Sequence, residues 1–465
     1  MRSRRIPNSA ENPLNGHNTS LNICLVVLFS AAMAICSSSC QVAATQSSVP
    51  NRNEIALRRA NESIERNRKG DVRIRVADAR GNPAPGIRIR VNQVSHDFKF
   101  GCYLKLNDLA SRKSATYQEL FSKLFNYAVI GTYWDFIENQ EGNPDWSWFD
   151  RESTLARKLG AEIQAAPVLW GTNESGTPKW LPKKEDRLIP ILKDHVQSAL
   201  NRNPERIDDW EIVNEPLSKK RDVFAERIGG DYVASAFAWA REAAPTKRLI
   251  INEYGVFGSD SSHNYNRDKY RQLLNSLIER NVPIDVIGIQ AHANGEWYEP
   301  ANVAEQLDRY AELGKPIQIT EFSSQLLDYD DRKTPMQISG TYKSGVWDAE
   351  KQAAFYREFY TIAFGSPQVE AIVTWGLDDE RAWLPGIGLV DKSDNPKPVY
   401  ESLDSIINTE WRTSLEDVTD ENGVVDLRGF FGRYHVQIID PKWAQVGQFS
   451  IEKGKANNWV FRLKR

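Results

Sequence analysis

The sequence predicts an α/β fold, a (β/α)8 TIM barrel, with a small β module formed by the N- and C-terminal flanking segments. Three observations lead there. From Phe98 to about Ile407, eight short apolar runs recur. Each alternates with longer stretches whose apolar residues fall three and four positions apart, the pattern of repeated βα units. No Gly-rich phosphate loop follows the first run, which disfavours the doubly wound alternative.

Taken in order, the chain opens with Arg2, Arg4 and Arg5 and then ICLVVLFSAAMAI, an apolar run too short to span a bilayer. With QVAAT offering a small-residue cleavage site after Ala44, residues 1–44 are expected to be a signal peptide, and the protein secreted or periplasmic. Cys36 and Cys40 are alternative lipid-attachment sites, but AMAIC and SSSC both lack a good lipobox. Cys24, Cys36 and Cys40 lie in or beside the leader, so a mature chain keeps Cys102 alone and no internal disulfide is expected. Residues 45–70 read as a linker and a short charged helix. Residues 71–97, DVRIRVADARGNPAPGIRIRVNQ and its continuation, alternate apolar and charged residues around a Gly-Asn-Pro turn, the pattern of a β hairpin.

The barrel is expected over residues 98–408. Its strand candidates are FKFGCYL, FNYAVIGTYW, EIQAAPVLW, DDWEIVNEP, RLIINEYG, VIGIQAHA, PIQITEF and VEAIVTWGL. Helical periodicity marks 188–201, 222–243, 265–280, 303–314 and 349–364. Residues 409–465 return to strand-like patterning at 424–427, 432–439 and 459–463, and are expected to pack with the N-terminal hairpin.

At 465 residues and 41% hydrophobic content, the chain can bury a large core. Its formal charge of -3 gives no field to suggest nucleic acid or an anionic membrane as partner, and a neutral ligand fits this balance better. Fourteen tryptophans supply ring faces for sugars as well as core filler. The six histidines show no HExxH or clustered spacing, and no phosphate-loop motif appears, so neither metal nor cofactor is expected.

In a barrel, chemistry sits at the C-terminal ends of the strands. That places Trp134, Trp170, Asn214, Glu215, Glu253, Tyr254, Gln290, His292, Glu321 and Trp375 around one mouth. Glu215 ends the fourth strand and Glu321 the seventh, so the two carboxyls would face each other. One protonated and one ionised carboxyl across a sugar-sized gap are the minimum for glycoside hydrolysis.

At these residues the chain resembles glycoside hydrolase family 10, the endo-β-1,4-xylanase family of the retaining TIM-barrel clan. WEIVNEP resembles the acid/base segment, GIQAHA the Gln and His strand, ITEF the nucleophile segment, and TWGLDDERAW the late tryptophan segment. The flanking segments RKGDVRIRV and WRTSLEDVTDENGVVDLRGFFGRY are similar to ones that accompany such domains. The resemblance implies Glu215 as acid/base, Glu321 as nucleophile, Asn214 on the sugar 2-hydroxyl, and His292 holding Glu321, with Gln290 in the same network. It implies Trp375 and Trp383 as glycone-site walls, with Trp170 and Trp134 either sharing that role or packing the rim. Three departures stand out. Tyr133 occupies the place of a sugar-binding lysine, Trp170-Gly171 replaces Trp-His, and Phe322-Ser323 replaces Leu-Asp. The catalytic pair is intact while the glycone-recognition residues are rebuilt. Retaining cleavage of internal β-1,4 bonds, xylan first, is the expectation, with a β-glucanase, a transglycosylase or a non-catalytic carbohydrate-binding barrel as alternatives.

Overall fold

The computed structural model describes residues 51–105, 112–172, 176–218, 222–258, 261–293, 295–326, 336–339, 342–440 and 443–464. The leader, with Cys24, Cys36 and Cys40, lies outside the described residues. The described chain begins with a helix, Arg52–Asn67. Asn51 caps it: its Oδ1 accepts from the backbone N–H groups of Asn53 and Glu54 at 3.0 Å, and the Glu54 carboxylate accepts from the Asn51 N–H at 3.2 Å. Ala56, Ala60 and Ile64 turn its apolar stripe inward.

Two strands follow, β1 (Lys69–Ala77) and β2 (Arg88–His96). The expectation of a hairpin over 71–97 is corrected here, because they belong to different sheets. β1 lies between β13 (Val424–Phe430) and β16 (Asn457–Arg462); β2 lies between β12 (Ser414–Val418) and β14 (Gly432–Ile438), with β15 (Gln445–Ile451) outside β14. Val72, Ile74 and Val76 of β1 and Ile89 and Val91 of β2 enter one shared core with Tyr434, Val436, Phe449 and Ile451. Alternation reports which face is buried and not which strand is the neighbour, so a hairpin and two facing sheets read alike. The two C-terminal strands β12 and β15 escaped the sequence reading.

Between these segments runs the barrel: β3 (Lys99–Tyr103), β4 (Tyr127–Gly131), β5 (Glu162–Ala166) with its short continuation β6 (Leu169–Trp170), β7 (Asp209–Asn214), β8 (Arg248–Glu253), β9 (Val286–Ala293), β10 (Ile317–Ser324) and β11 (Val369–Thr374). Every pairing is parallel, and β11 beside β3 together with β5 and β6 beside β7 closes the ring. All eight expected strands are present. Their near-continuous apolar runs reflect burial on both faces, inside the barrel and under the helices. The stretch read as one helix over 222–243 is two, Val223–Ile228 and Tyr232–Ala243, because Gly229 at φ +82° ends the first in a conformation that favours glycine. Arg68 ties the β module to the barrel: its guanidinium donates to the carbonyls of Phe364, Ser366 and Val369 at 2.6–2.7 Å.

Candidate active site

The C-terminal ends of the barrel strands enclose a cavity of about 470 Å³. Asn214 and Glu215 reach it from the end of β7, Gln290 and His292 from alternate positions of β9, and Glu321 from β10, where the register shifts between Ile319 and Glu321. Glu215 holds φ +52°, a left-handed backbone unusual for a side chain with a Cβ. Three hydrogen bonds lock it there. The Glu215 N–H donates to the Asn252 carbonyl at 2.9 Å, the Ser218 N–H to the Glu215 carbonyl at 3.0 Å, and the Leu217 N–H to Glu253 Oε2 at 2.8 Å.

The two predicted carboxyls are joined by a chain of amides. Gln290 Nε2 donates to Glu215 Oε1 at 3.0 Å and to Asn214 Oδ1 at 3.2 Å. Asn252 Nδ2 donates to that same Asn214 oxygen at 3.1 Å and to Glu321 Oε1 at 3.0 Å. Asn214 Oδ1 therefore takes two donors. His292 Nε2 lies 3.1 Å from Glu321 Oε2, while its Nδ1 lies 2.7 Å from Ser323 Oγ. With the proton on Nε2, the ring donates to Glu321 and accepts from Ser323.

Burial pushes the Glu215 carboxyl above the ordinary range, the charge of Glu321 pushes it further, and the N–H groups of Gln290 and Trp170 pull it back. Glu211, on β7 four residues before Glu215, is 2% exposed and is raised well above its usual value by burial and then by Glu321. Glu253, fully buried, is likewise raised by burial. A carboxyl with a raised pKa at Glu215 beside a hydrogen-bonded Glu321 suits delivery of a proton and attack on an electrophile within one cavity.

The tryptophans divide. Trp170 joins the site through its indole, Nε1 donating to Glu215 Oε2 at 3.2 Å. Trp375 lines the cavity with its ring stacked on Tyr103 at 4.5 Å, and Trp383, 55% exposed, stands at the rim beside His292. Trp134 is not brought there. It is 1% exposed, stacks on His195 at 3.8 Å and donates to Glu138, because the short helix Trp134–Ile137 turns it away while Tyr133 and Phe136 face the cavity. The rebuilt positions also have physical reasons. A Cβ at Gly171 would lie 2.1 Å from Asp222 Oδ1, an oxygen already capping Val223–Ile228. Tyr133 is half-buried against Tyr103, to which its hydroxyl is hydrogen-bonded. Asp378 and Asp379 of the acidic run pair with Arg381 and Lys397. The sequence reading missed Asn252, Glu211 and Lys105; a lone asparagine inside RLIINEYG was the available signal for the first.

Residues 91–406 match the profile of Glycosyl hydrolase family 10. The chain belongs to that family. This family-10 glycosidase is 29% identical over 303 residues to Endo-1,4-beta-xylanase B of Thermotoga neapolitana, a match covering 62% of this chain and 82% of that protein. Among solved structures it is similar to native xylanase 10B from Thermotoga maritima, at 25% identity and TM-score 0.56, covering 68% of this chain and 96% of that one. The endo-1,4-beta-xylanase from Caldicellulosiruptor owensensis gives 27% identity and TM-score 0.54, over 66% and 96% of the two chains. The family-10 match spans the barrel and all the residues of the amide chain. The protein is thus an endo-1,4-β-xylanase-like glycosidase.

Proposed function

We propose that the protein cleaves internal β-1,4 bonds of xylan with retention, by double displacement. The observation that carries this reading is the single cavity holding Glu215 and Glu321, linked through Gln290, Asn214 and Asn252, with Glu215 raised above the ordinary carboxyl range. In the first step Glu321 attacks the anomeric carbon while Glu215 protonates the departing oxygen. Esterification removes the Glu321 charge, the second cause of the raised Glu215 value, so the Glu215 carboxyl loses its proton more readily and serves as base for the incoming water. Asn214, with its oxygen occupied by two amides, offers its N–H2 to the sugar 2-hydroxyl. Trp375 and Trp383 supply faces for pyranose rings. The names of the relatives support xylan. Export through the 1–44 leader and a monomeric state belong to the same reading.

The test is hydrolysis of an aryl β-xylobioside and an aryl β-cellobioside by wild type and Glu321→Ala, with azide as rescuing nucleophile. The variant should lose activity and regain it with azide, giving a glycosyl azide of inverted configuration. Preference for the xylobioside supports xylan, and preference for the cellobioside replaces it with a β-glucan. A first-formed product of inverted anomeric configuration from the wild type would overturn double displacement.

A further inference from the structure

We propose that Lys105 makes the outer wall of the catalytic cavity a subsite for a carboxylate carried by the substrate, so that the preferred chain is a β-linked polysaccharide bearing uronic acid groups. The proposal rests on the hydrolase reading above and names the substrate class of that same site.

Lys105 lies two residues beyond Tyr103, and both line the cavity. Leu104 between them is buried and continues the ladder, its N–H donating to the Val129 carbonyl at 2.8 Å. Lys105 therefore stands above Tyr103 on the same wall, farther from the barrel floor. Because β3 pairs with β11, this wall adjoins the loop carrying Trp375, Arg381 and Trp383. The other cationic or titratable nitrogen groups of the cavity already have counter-charges. Arg381 pairs with Asp378 at 3.0 Å and lies over the Tyr117 ring at 5.3 Å, and His292 sits 3.1 Å from Glu321. Among the described residues, the Lys105 ammonium has no carboxylate within ion-pair distance.

An ammonium on an aromatic-lined wall loses hydration when a sugar chain enters, and that loss is unfavourable unless an anion replaces the water. A sugar hydroxyl restores one neutral hydrogen bond. A carboxylate restores a charge-assisted one, about twice as strong. The position of the acid group is constrained as well. The Glu321 charge sits in the inner part of the cavity and repels a second anion there, so the uronic carboxylate belongs on a unit beyond the one being attacked, or on a branch from it.

The experiment compares two oligosaccharides of identical neutral backbone, xylotetraose and the same chain carrying one glucuronic acid on its non-reducing half. The readout is the ratio of their kcat/KM values. A charge-assisted contact predicts a wild-type ratio of about tenfold in favour of the acidic chain at low salt, shrinking as salt is added. Lys105→Gln should bring the ratio close to one, and Lys105→Arg should keep most of it. A wild-type ratio near one, or a ratio that survives Lys105→Gln, overturns the proposal. So does an equal loss on both chains, which would make Lys105 a ligand for hydroxyls. Calorimetric binding of the two chains to Glu321→Ala protein, with and without Lys105→Gln, reads the same ratio without turnover. If neither chain is cleaved by the wild type, the hydrolase reading fails, while the binding ratio still decides the role of Lys105.

Discussion

Trp170→Phe removes one of the two donors that oppose the raised pKa of Glu215. The substitution keeps a ring at the cavity wall and deletes the Nε1–H that donates to Glu215 Oε2 at 3.2 Å. A hydrogen bond to an ionised group contributes about 1.5–3 kcal/mol, and the 3.2 Å separation places this one at or just below the weak end. About 1.4 kcal/mol corresponds to about one pH unit. The direction follows from which form the donor serves. The indole N–H favours the ionised carboxylate, so its loss raises a value that burial and Glu321 have already raised. Glu215 then stays protonated to higher pH, and the alkaline limb of the kcat/KM profile moves up by about one unit. The assay is kcat/KM from about pH 4 to about 10 on an aryl xylobioside whose leaving group requires protonation. Circular dichroism confirms that the variant is folded. An alkaline limb that moves down, or stays in place, would refute the assignment of Trp170 as a partner of ionised Glu215.

Four further outcomes follow from the same geometry. Asn252→Ala removes the amide that orients both Asn214 and Glu321, and kcat/KM should fall about 10²-fold with an unchanged circular dichroism spectrum. Glu211→Gln should raise Tm above wild type, and by more at about pH 8 than at about pH 4. The folded value of Glu211 is raised, so its stabilising contribution is complete below the unfolded value of about 4.3 and is lost as pH rises through the folded one; a gap that narrows with rising pH contradicts this. Arg68→Met strands three buried carbonyls between module and barrel and should cost about 3–5 kcal/mol in urea unfolding. Gly365→Val sets a Cβ 2.7 Å from the Ala60 carbonyl oxygen, where the first helix meets Ala349–Gly365, and should cost about 1–3 kcal/mol by the same measurement.

Much of this molecule was legible before any coordinates. Apolar runs alternating with helical periodicity point to a parallel sheet covered by helices on its faces, and their number, eight, with no Gly-rich phosphate loop after the first, favours the closed barrel over the doubly wound sheet. The segments WEIVNEP, GIQAHA and ITEF then place Glu215, Gln290, His292 and Glu321 at strand ends on one side of it. What stayed hidden depends on which surfaces meet. The alternation in β1 and β2 marked their inward faces but left their partners open, and the C-terminal strands came between them to make two sheets. Trp134 stood at a strand end like Trp170, yet one short helix turned its ring onto His195 and left Tyr133 and Phe136 facing the cavity. Asn252 looked like a stray polar residue in a strand until the barrel curved β7, β8 and β10 together and gave its amide two partners. Residue type and spacing are local properties that the chain carries by itself. Hydrogen-bond partnership, side-chain direction at a turn and the raised protonation of Glu215 depend on groups distant in sequence, and only the packed tertiary structure brings those together.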